Sequence, residues 1–312
     1  MRPRVVYVHG NGNKVRSELL KSQWDTALFG RDMAEASHMA YWAPLRYENP
    51  LPDFRPDPLD GGQMDIEESP EPVEFEAPGE FVARTLDEAR SEAGDIAPES
   101  PEPTPGTGRI GDALGDWLSE MTYLADTLAE SEETGVGPQI PLEALPLPRS
   151  ARKAVFRTLV KHTFKDVHAY FFGGAGAAIR DVVREALDDL DGAPVALVGH
   201  SLGSIVAYEV LAEQEREVEL FVTVGSPLAI TEVQDHLVKA PAVPAGVMAW
   251  RNASDLRDLV ALDHTLRPEY APTELVTDLL VTNDSRNHHG ISQYLENPDV
   301  REPFQRMFNR LA

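Results

Sequence analysis

Cysteine is absent from the 312 residues. That excludes a disulfide framework, cysteine-ligated zinc or iron–sulfur centres, and a catalytic thiol. No apolar run approaches the roughly 18 residues of a spanning helix, so no transmembrane segment is expected. The apolar stretch after Met1-Arg2-Pro3-Arg4 covers only residues 5–8 and is too short for a signal-peptide core. A cytoplasmic location is the expectation. Positive charge is also scarce. Lys and Arg number 28 against 52 Asp and Glu, a formal net charge of −24. A nucleic-acid-binding face needs a basic surface and is not expected. What is present is ordinary for a globular protein: 42 % hydrophobic and 26 % charged residues, enough for a sizeable core.

The acidity is concentrated. Residues 51–108 hold 16 Asp and Glu against 3 Arg, and 10 of the 25 prolines. Like charges repel and proline restricts both helix and sheet, so this segment has little to offset the entropy of ordering. It reads as a disordered acidic insertion, with Phe54, Phe75 and Phe81 as candidate anchors. The excess of 22 Arg over 6 Lys reads as compositional bias.

Around the insertion, strand-like and helix-like segments alternate. Residues 4–8 are β-branched and aromatic and end in His9-Gly10-Asn11-Gly12. Residues 15–28 read as a helix and 39–42 as a strand. Ile110, Leu114, Trp117, Met121, Leu124 and Leu128 recur every three or four residues, which predicts an amphipathic helix. It lies in a helical insertion, 109–168, whose apolar stripe either faces substrate as a lid or packs on the body. Residues 151–164 and 175–190 are helix candidates. Residues 195–198, 220–224, 247–250 and 275–282 are strand candidates. Short apolar strands alternating with helices imply a mostly parallel sheet covered on both faces, hence a single α/β domain over 1–312.

Gly199-His200-Ser201-Leu202-Gly203 follows the apolar run 194–198 and opens the helix carrying Ile205, Val206 and Val210. This is the strand–sharp turn–helix context of a nucleophile elbow, in which the serine is raised above the sheet. The helix amino terminus beneath it favours developing negative charge. A serine hydroxyl alone is a weak nucleophile and needs a base oriented by a carboxylate. In an elbow enzyme the chain order is serine, acid, histidine. The loop after residue 250 supplies Asp255, Asp258 and Asp263, and the loop after residue 282 supplies His288 and His289. By the elbow's geometry the Leu202 backbone N–H is one oxyanion donor.

These segments together resemble a serine hydrolase of the α/β-hydrolase superfamily, lipase- or esterase-like, over residues 4–50 and about 150–300. Val5-Val6-Tyr7-Val8-His9-Gly10 resembles the strand and His-Gly oxyanion loop, and Thr223-Val224-Gly225-Ser226-Pro227 a strand end common in lipases. Trp250-Arg251-Asn252 with Arg257-Asp258-Leu259-Val260 resembles the acid loop, although Leu259 stands where the family often has proline. His289 followed by Tyr294-Leu295 resembles the catalytic-histidine segment. The resemblance implies an α/β-hydrolase fold with Ser201 as nucleophile, His289 as base and Asp258 as acid, with Asp255, Asp263 and His288 as alternatives. It also implies the backbone N–H of Asn11 as second oxyanion donor.

Other signals are weaker. His9 reads as a loop-stabilising residue and His200 as lining the elbow. Gly174-Ala175-Gly176 lacks the third glycine of a dinucleotide fingerprint. No metal or cofactor is expected. The expected reaction is hydrolysis of a small-molecule or lipid-like carboxylic ester through an acyl-enzyme, falling off at acid pH as a histidine base protonates, near about 6–7. The alternatives are an acyltransferase, thioesterase or amidase on the same site, or a non-catalytic protein presenting the acidic insertion to a basic partner.

Overall fold

The structure is a computed structural model that describes residues 2–55, 57, 59–60, 76–94, 112–131, 149–190 and 192–309. Strands β1 (Arg4–Val8), β2 (Ser37–Ala40), β3 (Val195–His200), β4 (Leu220–Val224), β5 (Trp250–Ser254) and β6 (Val276–Leu280) form one sheet in the order β2-β1-β3-β4-β5-β6. Every pairing is parallel, with Val8 opposite Gly199, Val198 opposite Val222, Val224 opposite Ala253 and Ser254 opposite Leu280. Parallel strands need crossovers, which cover both faces and force apolar residues onto both sides of the central strands. Val5, Val6, Tyr7 and Val8 of β1 are accordingly all buried, as is the whole of β3.

Alternate residues serve two cores. Val5, Tyr7, Ala196, Val198 and Val222 face α1 (Ser17–Phe29), α8 (Ile291–Glu296) and α9 (Pro298–Asn309). Val6, Val8, Leu197, Phe221 and Trp250 face the other side, against α5 (Gly176–Asp188) and α6 (Leu202–Glu213). The strand order reverses between β1 and β3, and the crevice beyond the carboxyl ends of strands at such a point is where open α/β sheets bind ligands. The loops there begin at His9 and Ser201.

Between β2 and α5 lie α2 (Pro78–Gly94), α3 (Asp112–Ser131) and α4 (Arg149–Phe172), which pack on one another. The expected disorder of 51–108 is therefore corrected for 78–94. Residues 61–75 and 95–108, including Phe75, lie outside the described residues, as does Ile110. Two features order α2. Phe81 and Ala89 are buried in the same core as Phe156 and Leu159 of α4. The acidic face also meets a basic helix. Lys161 and Lys165 of α4 pair with Glu88 at 2.8 and 3.5 Å, Lys165 with Glu92 at 2.5 Å, and the Arg157 guanidinium lies 5.0 Å from the Phe81 ring. These cations, distant in the sequence, neutralise the segment that alone would repel itself.

Strand β5 starts three residues later than expected. Met248 is exposed, and the paired residues include the polar Arg251, Asn252 and Ser254. Asn252 and Ser254 are nevertheless buried because their side chains are bonded to Thr223, Asp278 and His264. Helix α7 (Thr231–Gln234) follows β4. Among the described residues no helix is long and apolar enough to cross a membrane.

Candidate active site

Ser201 sits at the β3–α6 junction with φ 52° and ψ −129°, a left-handed φ rare for a residue with a side chain. The surrounding structure holds that strain. The Ser201 N–H donates to the Val224 carbonyl at 3.1 Å, and the Ser201 carbonyl accepts from Ser204 N–H at 2.9 Å and from Ser204 Oγ at 2.5 Å. Gly203 lets α6 pass directly under the end of β1. A Cβ there would overlap the carbonyls of Val8 and His9. Leu202 begins the helix, so its N–H has no intrahelical acceptor and is available at the elbow.

His289 and Asp258 meet across the ends of β6 and β5. His289 Nδ1 lies 2.9 and 2.8 Å from the two Asp258 oxygens. Asp258 also accepts from Tyr294 Oη at 2.6 Å and from Val260 N–H at 2.9 Å. Burial pushes the Asp258 carboxyl up, but the facing His289 and these hydrogen bonds outweigh it and hold the carboxyl below its ordinary value. Tyr294 is itself fixed by the Asp255 N–H at 3.1 Å. An ionised Asp258 makes Nδ1 the protonated nitrogen and leaves Nε2 a lone pair. That Nε2 is buried and has no hydrogen-bond partner. Gly225 makes room for the pair, since a Cβ there would fall 2.8 Å from His289 Cε1 and 2.9 Å from Asp258 Oδ2.

The other candidates are placed elsewhere. Asp255 is tied to Arg257 and to Asn283 N–H, and Asp263 caps the exposed turn at Thr265. His288 turns the other way at φ 56°, with Nδ1 on the Asn283 carbonyl and its ring against Phe156. His200 Nε2 donates to the His289 carbonyl at 2.9 Å, and its ring packs on that of His289 at 4.5 Å between centroids. Burial, then the neighbouring His289 and Lys14, push His200 well below the ordinary histidine value. His9 Nε2 accepts the N–H groups of Trp42 and Ala43, which staples the β1 loop to the β2 loop. Burial, then Lys14, lower His9 to about 3, so it stays neutral.

The β1 loop reaches the serine through a side chain. Ser201 Oγ donates to Asn11 Oδ1 at 2.7 Å, while Asn11 Nδ2 donates to Thr163 Oγ1 of α4 at 2.9 Å. Gly12 N–H donates to Asp166 of the same helix at 2.6 Å. Sequence reasoning considered only the backbone of Asn11 and missed Thr163, Asp166, Tyr294 as a donor, and Gly225 as a spacer. Tyr294 alone carried a signal, as the marker after His289.

Asp57, Leu59 and Asp60 together span all three loops. Leu59 lies against Gly12, its carbonyl accepts from Asn287 Nδ2 at 2.9 Å, and Asp60 Oδ1 is 3.7 Å from His200 Nδ1. These residues are held by Lys14, fully buried, 2.6 Å from Asp57 and 3.2 Å from Asp60. Burial alone would lower the Lys14 ammonium, but the two carboxylates reverse this and push it up. Burial also raises Asp57 to about 6, with Lys14 offsetting only part. A cavity of about 460 Å³ lies outside these residues, lined by Lys14, Trp24, Asp57, Asp60 and Ile291, and Ser201 and His289 do not line it. Ser201, His289 and Asp258 are all buried. No cluster of three metal-ligating side chains occurs among the described residues.

The sequence matches the alpha/beta hydrolase family over residues 162–311, from within α4 through the elbow to the C-terminal helix. No curated protein and no solved structure matches it. The matched segment holds four of the six sheet strands, and β1 and β2 extend the same parallel sheet. The parallel six-stranded sheet flanked by helices is that of the α/β-hydrolase fold, and the family match covers its second half, residues 162–311.

Proposed function

We propose that the protein is a serine hydrolase that cleaves carboxylic esters through an acyl-enzyme, with Ser201, His289 and Asp258 as its triad. The observation that carries this reading is the buried His289–Asp258 pair, which leaves Nε2 unpartnered, together with the positive φ of the serine at the topological switch point. Ser201 Oγ attacks the ester carbonyl carbon while His289 Nε2 takes its proton. The carbonyl oxygen becomes an alkoxide, received by the backbone N–H groups of Leu202 and Asn11. His289 then gives the proton to the departing alcohol. Water, deprotonated by the same nitrogen, attacks the acyl-enzyme and releases the acid. Asp258 stabilises the imidazolium formed in each half and does not itself take the proton. The apolar side chains of α2–α4 over the sheet favour an apolar acyl group and make these helices a cap.

A fluorophosphonate probe tests the reading. Wild-type protein is expected to label at one site, and Ser201→Ala to lose labelling together with activity on the order of 10⁶-fold against a chromogenic ester panel. Wild-type protein that does not label, or Ser201→Ala with retained turnover, would overturn it.

A further inference from the structure

Ser201 has one hydroxyl proton, and it is directed at Asn11 Oδ1 rather than at the base. The acceptor is itself set from the cap, because Asn11 Nδ2 is bonded to Thr163 Oγ1 on α4. All three side chains are buried, at 0 % exposure for Ser201 and Thr163 and 2 % for Asn11. His289 Nε2, also buried, stands with no partner. A carboxamide has a donor end and an acceptor end, whereas a threonine hydroxyl serves as either. Turning the Asn11 amide over would leave Thr163 satisfied, now as donor to Oδ1. It would make Ser201 Oγ an acceptor from Nδ2 and free its proton for His289 Nε2. The pair Asn11–Thr163 thus has two hydrogen-bonded settings, in which the roles of donor and acceptor along Ser201–Asn11–Thr163 are reversed.

We propose that Asn11 and Thr163 form a switch through which the cap helix α4 parks the nucleophile. In the resting setting the amide oxygen holds the serine proton away from the base. In the working setting the amide nitrogen holds the serine oxygen and the proton faces His289. No covalent bond changes in the switch itself, which reverses the Ser201–Asn11 and Asn11–Thr163 hydrogen bonds and turns the serine proton to Nε2. Displacement of α4 biases it, since α4 carries Thr163 and also anchors the same loop at Gly12 through Asp166. Asn11 touches the reacting atom, and Thr163 is a positioning residue. The inference rests on the serine–histidine reading above.

The test is the pH dependence of fluorophosphonate labelling for the wild type, Asn11→Leu, Thr163→Val and Thr163→Ser. With the parking acceptor removed, the hydroxyl in Asn11→Leu has His289 Nε2 as its partner. Neutral imidazole accepts the hydroxyl proton, whereas imidazolium donates to Oγ and leaves that proton without its former acceptor, so the acid midpoint of labelling is expected to move down by about half to one pH unit, the worth of one hydrogen bond. Thr163→Val is near-isosteric and is expected to shift in the same direction by less, and Thr163→Ser to restore the wild-type midpoint. An unmoved midpoint in both Asn11→Leu and Thr163→Val overturns the switch, as does a loss of plateau rate with no shift, which would make the amide a simple structural or oxyanion group. If Asn11→Leu does not fold, Thr163→Val against Thr163→Ser decides alone. Failure of the wild type to label at all would instead sink the serine reading, so the two failures are distinguishable.

Discussion

The proposed base, His289, and the proposed nucleophile, Ser201, are held on different principles. His289 is held from below by the sheet domain: Asp258 grips Nδ1, Tyr294 and the Val260 N–H grip Asp258, and His200 grips the His289 backbone. Every partner belongs to β3, the loop that follows β5, or α8. Ser201 Oγ is held from above, by Asn11 and, through Thr163, by a helix inserted between β2 and α5. On the proposed roles, orientation of the base is a property of the fold, whereas readiness of the nucleophile depends on α4. A rigid base needs no reorganisation when charge develops on it. A nucleophile tied to a covering element is sensitive to what lies beneath that element.

The strongest way to break the comparison is Asp258→Asn. It keeps the packing but lets the imidazole take the tautomer with Nε2 protonated, so kcat is expected to fall on the order of 10⁴-fold. A loss below tenfold would show that the base side is not organised by this carboxylate. Next is Lys14→Met, on the nucleophile side. It leaves Asp57 and Asp60 facing each other without their cation, and urea unfolding is expected to show a loss of about 3–5 kcal/mol. Adding Asp57→Asn and Asp60→Asn to the same variant should recover most of it. A Lys14→Met protein as stable as wild type would remove the ion cluster from the account.

How much of this was readable from sequence follows from where each contact's partners lie. The strand β3, the elbow and α6 are consecutive, and a fully buried strand must be written as a continuous apolar run, so this third of the site is visible locally. Asp258 and His289 each follow a strand, and the expected chain order narrowed them to short loops. The resemblance of Arg257-Asp258-Leu259-Val260 to an acid loop favoured Asp258, and the geometry brings Asp258 and not Asp255 or Asp263 to the imidazole, held there by the bond from Tyr294, 36 residues on. Helix α2 was hidden by composition. Averaged over 51–108 the segment is acidic and proline-rich, yet its ordered stretch is balanced by Lys161 and Lys165, distant in the chain. Thr163 was unreadable for the same reason, because it meets Asn11 across 152 residues.

Two smaller effects sharpen the contrast. Tyr294→Phe removes a charge-assisted donor to Asp258 and is expected to lower kcat about 10–100-fold with KM little changed. An equal change in KM would place Tyr294 on the substrate side instead. Acidification probes the nucleophile side through His9, whose folded value is lowered to about 3 by burial. Below the unfolded value of about 6.5 the unfolded chain takes up a proton that folded His9 refuses, so stability falls as pH falls. The expected weakening is about threefold in the folding equilibrium between pH 7 and 6, then approaching tenfold per unit. His9→Gln, if it folds, should flatten that slope, and an unchanged slope would exclude His9 as its source.

The claim on which both sides depend is that Ser201 becomes acylated during turnover. Mass spectrometry of protein quenched while hydrolysing a slowly deacylating p-nitrophenyl ester reads this directly. The account predicts one added acyl group on the peptide containing Ser201, present in wild type and absent in Ser201→Ala. An adduct on another residue, or ester turnover that persists in Ser201→Ala without any adduct, would contradict it.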